Sequence, residues 1–186
     1  MKELSLNILD IAENSMKAGA TLTEIIIIES SLELSITVKD DGCGMSEEIL
    51  RSITDPFYTT RTTRSVGLGI PLLKMAAEMT GGRVELHSVV DDGKTDAHGT
   101  TITAYFYKNH IDFTPLGDVI SSITTLIQGH PDTDILFSHV TEYGEVGLDT
   151  RELREALEGV PLDTYEVIKW IEGYLEEQYS VINYKK

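Results

Sequence analysis

Along residues 4–17 the apolar positions Leu4, Ile8, Ile11, Ala12 and Met16 fall on one stripe at helical spacing, and the glycine of "KAGAT" closes the segment. Two runs of strand character follow, 24–30 and 32–39. In the second, Leu32, Leu34, Ile36 and Val38 alternate with Glu33, Ser35, Thr37 and Lys39, which predicts a hairpin. A short helix over 46–53 precedes "TDPFYTTRTTRS", a polar loop of the length expected of a lid or a disordered segment. "VGLGIPLLKMAAEMTGG" reads as a glycine turn, a helix with Pro71 at its first position, and a Gly-Gly stop. Strands are predicted over 83–89 and 100–107, around the acidic turn "DDGKTDAHG". Beyond His110 the pattern changes. Leu116, Val119, Ile120, Ile123 and Ile127 predict a helix, and 134–142 with 144–149 a second hairpin. Asp149 with Glu152, and Asp163 with Glu166, have the spacing of capping boxes for two last helices. The final one carries Ile168, Ile171 and Leu175, broadened by Trp170 and Tyr174.

Composition narrows the function classes. The chain has 186 residues, enough to bury a sizeable core. Its longest aliphatic run, 25–28, is far too short to span a bilayer, and no basic-then-apolar leader opens the sequence, so the cytoplasm is the expected compartment. The one cysteine, Cys43, rules out an internal disulfide framework and a thiolate zinc cluster. The net charge of −16 argues against a nucleic-acid groove or an anionic membrane as the main partner. That charge is uneven. Residues 1–110 hold 16 acidic and 10 basic side chains, residues 111–186 hold 15 and 5, so an anionic ligand is easier to hold in the first part.

The polar residues of the first helix add chemistry. Asn7, Asp10, Asn14 and Lys17 fall within roughly 80° of arc, on one face. Such a face is either solvated or built for a ligand. An Asn oxygen suits Mg²⁺, a Lys one turn on meets phosphate oxygens, and a preceding carboxylate can orient or deprotonate a water. Downstream, Gly67 and Gly69 ahead of a helix would let backbone N–H groups approach an anion at its positive end. The corner "DDGCG" after the second strand is an ordinary turn composition, or a carboxylate presented beside glycines for a flat ligand.

In order, these pieces resemble the motifs of the Bergerat-fold ATPases, which include DNA gyrase B subunits, ninety-kilodalton heat-shock chaperones, sensor histidine kinases and MutL mismatch-repair proteins. "DIAENSMKAGAT" resembles the N box, "DDGCG" the G1 box, "DPFYTT" the F box of the kinases, "VGLGI" the G2 box, and "HGTTITAYF" the closing Gly-Thr strand. The resemblance implies a two-layer α/β (α+β) sandwich, helices over a mixed, mainly antiparallel sheet, as an ATP-binding domain over 1–110, with an acidic α+β extension over 111–186. It implies ATP and Mg²⁺ as ligands. Asp40 would accept the adenine amine, with Gly42 and Gly44 letting the base lie flat; Asn14 would hold the metal. Gly67, Leu68 and Gly69 would form the lid hinge and phosphate turn, and Phe57 belongs to the F box. Arg61 and Arg64 would reach the γ-phosphate, and Thr101 would lie beneath the adenine. Cys43 is expected to be a small packed residue.

Lys17 and "PFYTT" lean towards the kinases, "AGAT" towards MutL; the kinase branch is the better match. The departures matter too. Asp10 stands where the hydrolytic branches carry Glu, shorter by about 1.5 Å, which implies slow hydrolysis. Ser65 replaces the first glycine of a full GxGxG, and the strand and helix that normally precede the N box are missing ahead of it. None of His87, His98, His110, His130 and His139 sits in a phosphoacceptor context. Three functions are compatible: a stand-alone kinase-like ATPase acting on a partner protein through the extension or lid, with Asp10 and Lys17 as catalytic groups; a non-catalytic nucleotide sensor; and a MutL-like switch that forms a homodimer.

Overall fold

The alternation of apolar and polar residues carries directly into a sheet. The computed structural model describes residues 3–54, 69–94 and 97–182. The elements are α1 (Leu4–Lys17), β1 (Leu22–Glu29), β2 (Glu33–Asp40), α2 (Glu47–Thr54), α3 (Gly69–Met79), β3 (Arg83–Val89), β4 (Gly99–Tyr107), α4 (Val119–Gly129), β5 (Asp134–Thr141), β6 (Gly144–Asp149), α5 (Thr150–Leu157) and α6 (Tyr165–Val181). Among the described residues the strands form one sheet in the order β3-β4-β2-β1-β5-β6. Every neighbouring pair is antiparallel except β1 with β5. This is the expected two-layer sandwich on a mixed, mainly antiparallel sheet.

Side chains on a strand point alternately to the two faces, so one residue in two is committed to the core. Ile25 and Ile27, Leu34, Ile36 and Val38, Ile102, Ala104 and Phe106, Ile135 and Phe137, Val146 and Leu148 all turn inward. They meet Leu4, Ile8 and Ile11 of α1, Leu73 of α3, Ile123 and Leu126 of α4, and Ile171 and Leu175 of α6 in a common core. Burying a side chain such as Phe106 or Phe137 contributes roughly 1.5–3 kcal/mol. An exposed pair such as Arg51 with Glu47, 3.5 Å apart, contributes about 1 kcal/mol at most, so the core decides stability. The other face of the sheet is mixed, with Thr37 and Thr103 hydroxyls 3.0 Å apart across β2 and β4 and Ile28 and Val140 exposed on β1 and β5. No described helix is long and apolar enough to cross a membrane.

The acidic extension is joined to the rest through backbone and core. β5 pairs with β1 along all of β1, from Leu22 opposite Asp134 to Glu29 opposite Thr141. α4 lies against α1. The first free N–H groups of α1 are satisfied from the extension, Leu4 by the Pro115 carbonyl at 2.9 Å and Ser5 by that of Leu116 at 2.8 Å. The Ser122 hydroxyl donates to the Ser5 carbonyl, and His130 Nε2–H donates to Glu13 at 2.9 Å. α4 and β5 thus flank α1 and β1, the helix that carries the N box and the strand that follows it.

A buried polar chain adds a second tie. His139 of β5 is wholly buried, its Nε2–H donating to Glu29 of β1 and its Nδ1 2.9 Å from the Tyr179 hydroxyl of α6. Burial, then the Glu29 and Asp118 carboxylates, push the Tyr179 phenol far up, so it stays protonated. Lys108 neutralises Glu29 from the other side at 2.6 Å.

Of three local expectations, two are corrected and the Asp149 cap is found. Pro71 is the third residue of α3, still within the first turn, where no intrahelical N–H is lost. Asp149 caps α5 by accepting from Arg151 N–H at 2.9 Å. Thr164, not Asp163, is the N-cap of α6, and its side chain makes no cap bond.

If the extension completes the sheet, the fragment 1–110 lacks a neighbour for β1 and a cover for α1. It is expected to show no cooperative thermal transition by circular dichroism, whereas the full chain melts in one step. A cooperative melt of the fragment near the full-length midpoint contradicts this.

Candidate functional site

β2 ends at Asp40, and three elements converge on that carboxylate. The Ser15 hydroxyl of α1 donates to Oδ2 at 2.8 Å; the N–H groups of Gly42 and Thr100 donate to Oδ1 at 3.0 and 3.2 Å. The side chain is half-buried and held in one orientation. Thr100 is itself fixed, its hydroxyl 2.8 Å from that of Ser88, which accepts from Met45 N–H at 2.8 Å. His98 Nδ1 donates to the Gly42 carbonyl at 2.8 Å.

The next residue does different work. Asp41 accepts from the N–H groups of Thr21 and Leu22 at 2.7 and 2.9 Å and from the Thr21 hydroxyl. Burial pushes its carboxyl up, but these donors outweigh that and hold it below the ordinary range. It pins the G1 corner to the start of β1. The glycines are required by the chain itself. A methyl group at Gly42 would lie 2.8 Å from Ala18 Cβ, and one at Gly44, whose φ is +68°, would run into the Val89 carbonyl oxygen.

A cavity of about 220 Å³ opens beside Asp40. Asn14, Ser15 and Lys17 of α1 line one side, Cys43, Gly44 and Met45 another, and Ile70, Thr100 and Ile102 the floor. Asn14, Lys17, Asp40 and Gly44 are therefore brought together. Asp10 is exposed one turn before Asn14. Gly69 opens α3 against both, since a methyl group there would stand 3.1 Å from Asp10 Cβ and 3.7 Å from Asn14 Nδ2.

Thr101 is corrected: it faces the other side of the sheet, opposite Lys39 and His87, and Thr100 lines the cavity instead, because a one-residue step on a strand reverses the face. Asn7, expected on the polar face, is buried. Cys43, expected to be packed, is exposed on the cavity wall. Phe57, Arg61, Arg64, Gly67 and Leu68 lie outside the described residues. Ser15, Ser88 and Thr100 were not singled out by sequence; only the step from Ser15 to the N-box Asn14 hinted at one of them.

Residues 1–110 match the family model described as "Histidine kinase-, DNA gyrase B-, and HSP90-like ATPase". The chain belongs to this family. As a member of the histidine kinase-, gyrase B- and HSP90-like ATPases it is similar to sensor protein KdpD of Clostridium acetobutylicum, 33% identical over 90 residues, which are 46% of this chain and 10% of that protein. It is also similar to sporulation kinase A of Bacillus subtilis, 33% identical over 93 residues, 50% of this chain and 15% of the kinase. The chain thus spans a small part of the curated relatives it matches. Among solved structures, the Aquifex aeolicus MutL ATPase domain complexed with ADP aligns over 100% of this chain and 99% of its own, with a TM-score of 0.52 at 13% identity. The N-terminal domain of a DNA repair protein aligns over 80% of this chain and 52% of its own, with a TM-score of 0.52 at 15% identity. At these identities the structures support the fold.

The Asp41 hydrogen bonds make a pH prediction. Its folded pKa is depressed, so its stabilisation is complete above the ordinary value of 3.8 and is lost as pH falls through the lower folded value. Asp41→Asn is expected to cost about 1–2 kcal/mol at neutral pH. Its deficit should shrink towards low pH in denaturant titrations; a deficit independent of pH contradicts this.

Proposed function

We propose that this ATPase-family chain binds Mg·ATP in the cavity beside Asp40 and acts as a kinase-like domain that passes phosphate to, or regulates, a separate protein. The observation that carries the reading is that Asn14 and Asp40, from motifs 26 residues apart in sequence, line one cavity. Asp40 has both oxygens oriented by fixed donors, so it can accept an adenine amine without reorganising. The apolar walls, Met45, Ile49, Ile70 and Ile102, suit a flat purine face. Lys17 supplies positive charge on the α1 side. The N-terminus of α3, opening at Gly69 beside Asn14, supplies N–H donors for phosphate oxygens.

Magnesium fits this donor set in a limited way. Among the described residues no group of three or more His, Cys, Asp or Glu could hold a metal. A single Asn14 oxygen suits an ion held mostly by nucleotide phosphates and water, which is the usual habit of Mg²⁺. When bound, the ion would neutralise phosphate charge; Asn14 would orient it, and Arg61 and Arg64 are the proposed γ-phosphate contacts. Asp10, exposed and short, is a weak candidate base, and none of the five histidines of this sequence sits in a phosphoacceptor context. A non-catalytic nucleotide sensor is therefore the second reading, favoured by Asp10 and by Ser65 in place of the first glycine of a full GxGxG.

Calorimetric titration of Mg·ATP tests the site. Asn14→Ala and Asp40→Asn should each lose measurable binding, while Asp10→Ala keeps it; unchanged affinity in Asp40→Asn removes the adenine assignment. Because Cys43 is exposed on the cavity wall, saturating nucleotide should slow its alkylation at least ~10-fold. Label from γ-labelled ATP appearing on protein, as free phosphate, or on neither separates kinase, ATPase and sensor.

A further inference from the structure

A second and larger concavity lies in the acidic extension, on the far side of the sheet order from the nucleotide cavity. It measures about 440 Å³ and is walled by β5, β6, α5 and α6. Its apolar wall is built by Trp170 and Tyr174, one turn apart on α6, with Leu153 of α5. The two rings stack at 4.9 Å and 11°, yet remain 52% and 39% exposed. A tryptophan that is half in water and already rigid is the kind of side chain that anchors interfaces at little entropic cost.

Charge specifies the occupant. The charged residues lining this groove are all carboxylates: Glu145, Asp149 and Glu152. Asp149 is taken up by Arg151, and Glu145 accepts from the Ser138 hydroxyl at 2.8 Å. Among the described residues Glu152 has no such partner and is exposed. The surrounding segment 111–186 adds a charge of −10, so a basic group is drawn in and a second copy of this chain is repelled.

Backbone chemistry excludes one mode of recognition. β6 is the edge of the sheet, the natural place for an added strand. The Gln178 side-chain amide already occupies that edge, donating to the Gly147 carbonyl and accepting from the Gly147 N–H, both at 3.0 Å. Strand addition is thereby blocked at Gly147, in the middle of the edge, and the groove beside it offers a partner side chains. We infer that the groove between α5 and α6 docks a cationic amphipathic helix of a partner protein, its apolar stripe on Trp170 and Tyr174 and its Lys or Arg residues facing Glu145 and Glu152. This surface is independent of the nucleotide reading.

Trp170 is the only tryptophan in the chain and reports directly on the groove. The full-length protein is titrated with a synthetic peptide carrying leucine at helical stripe positions and lysine elsewhere, following tryptophan emission. A saturable blue shift is expected, weakened by salt, about 10-fold weaker in Glu152→Lys, and retained in Asp40→Asn. Because Glu152 is exposed, the reversal leaves the fold intact, which a thermal melt verifies. Absence of a saturable shift overturns the inference. So does an equal response to a scrambled peptide of the same composition, an unchanged affinity in Glu152→Lys, or self-association of the protein that buries Trp170 without peptide.

Discussion

The bond from the Ser15 hydroxyl to the Asp40 carboxylate, 2.8 Å long across 25 residues of sequence, is the constraint on which the site depends. It fixes the C-terminal turn of α1 against the end of β2, and so brings Asn14 and Lys17 to the same cavity as the G1 corner. The second oxygen of Asp40 is tied to its own corner and to β4, which leaves the carboxylate no freedom to swing away. Asp41 and the two glycines complete the corner by different means, one through hydrogen bonds to β1 and the others by admitting backbone where a side chain would collide. A corner this heavily supported is pre-organised, and the cost of ordering it is met in folding and not at ligand binding.

The second organising fact is where the extension sits. α1 is the element that carries the N box, yet its first N–H groups are satisfied by Pro115 and Leu116, and its outer side packs on α4. β1 is an interior strand only because β5 lies beside it. A helix and a strand late in the sequence thus stand beside the N-box helix and the first strand, and the start of α1 meets the extension where Leu4 N–H donates to the Pro115 carbonyl at 2.9 Å. The same arrangement ties the acidic segment to α1 through His130 on Glu13, next to Asn14.

Much of the fold was legible because both periods in the sequence were clean. The stripe of α1, the alternation of β2 and the Gly-Gly stop after α3 all appear within a residue or two of their expected bounds. That Asn14, Lys17, Asp40 and Gly44 line one cavity was legible because a motif carries residue type and spacing together. Thr101 was misread because a strand motif defines the segment but not its facing, and facing reverses with each residue. Asn7 was misread because an arc of polar residues does not say which edge is covered. The parallel pairing of β5 with β1 left no local trace at all; it joins segments more than 100 residues apart through backbone groups that every residue shares. The capping of the β6 edge by Gln178 is hidden for the same reason.

The central claim is that Asp40 reads the exocyclic amine of a purine. The most direct test compares the affinities of ATP and inosine triphosphate, which offers an oxygen where adenine has the amine, by calorimetry on the same protein. The account predicts that ATP binds at least ~10-fold more tightly, because the analogue sets an acceptor against a fixed carboxylate. Equal affinities would contradict it.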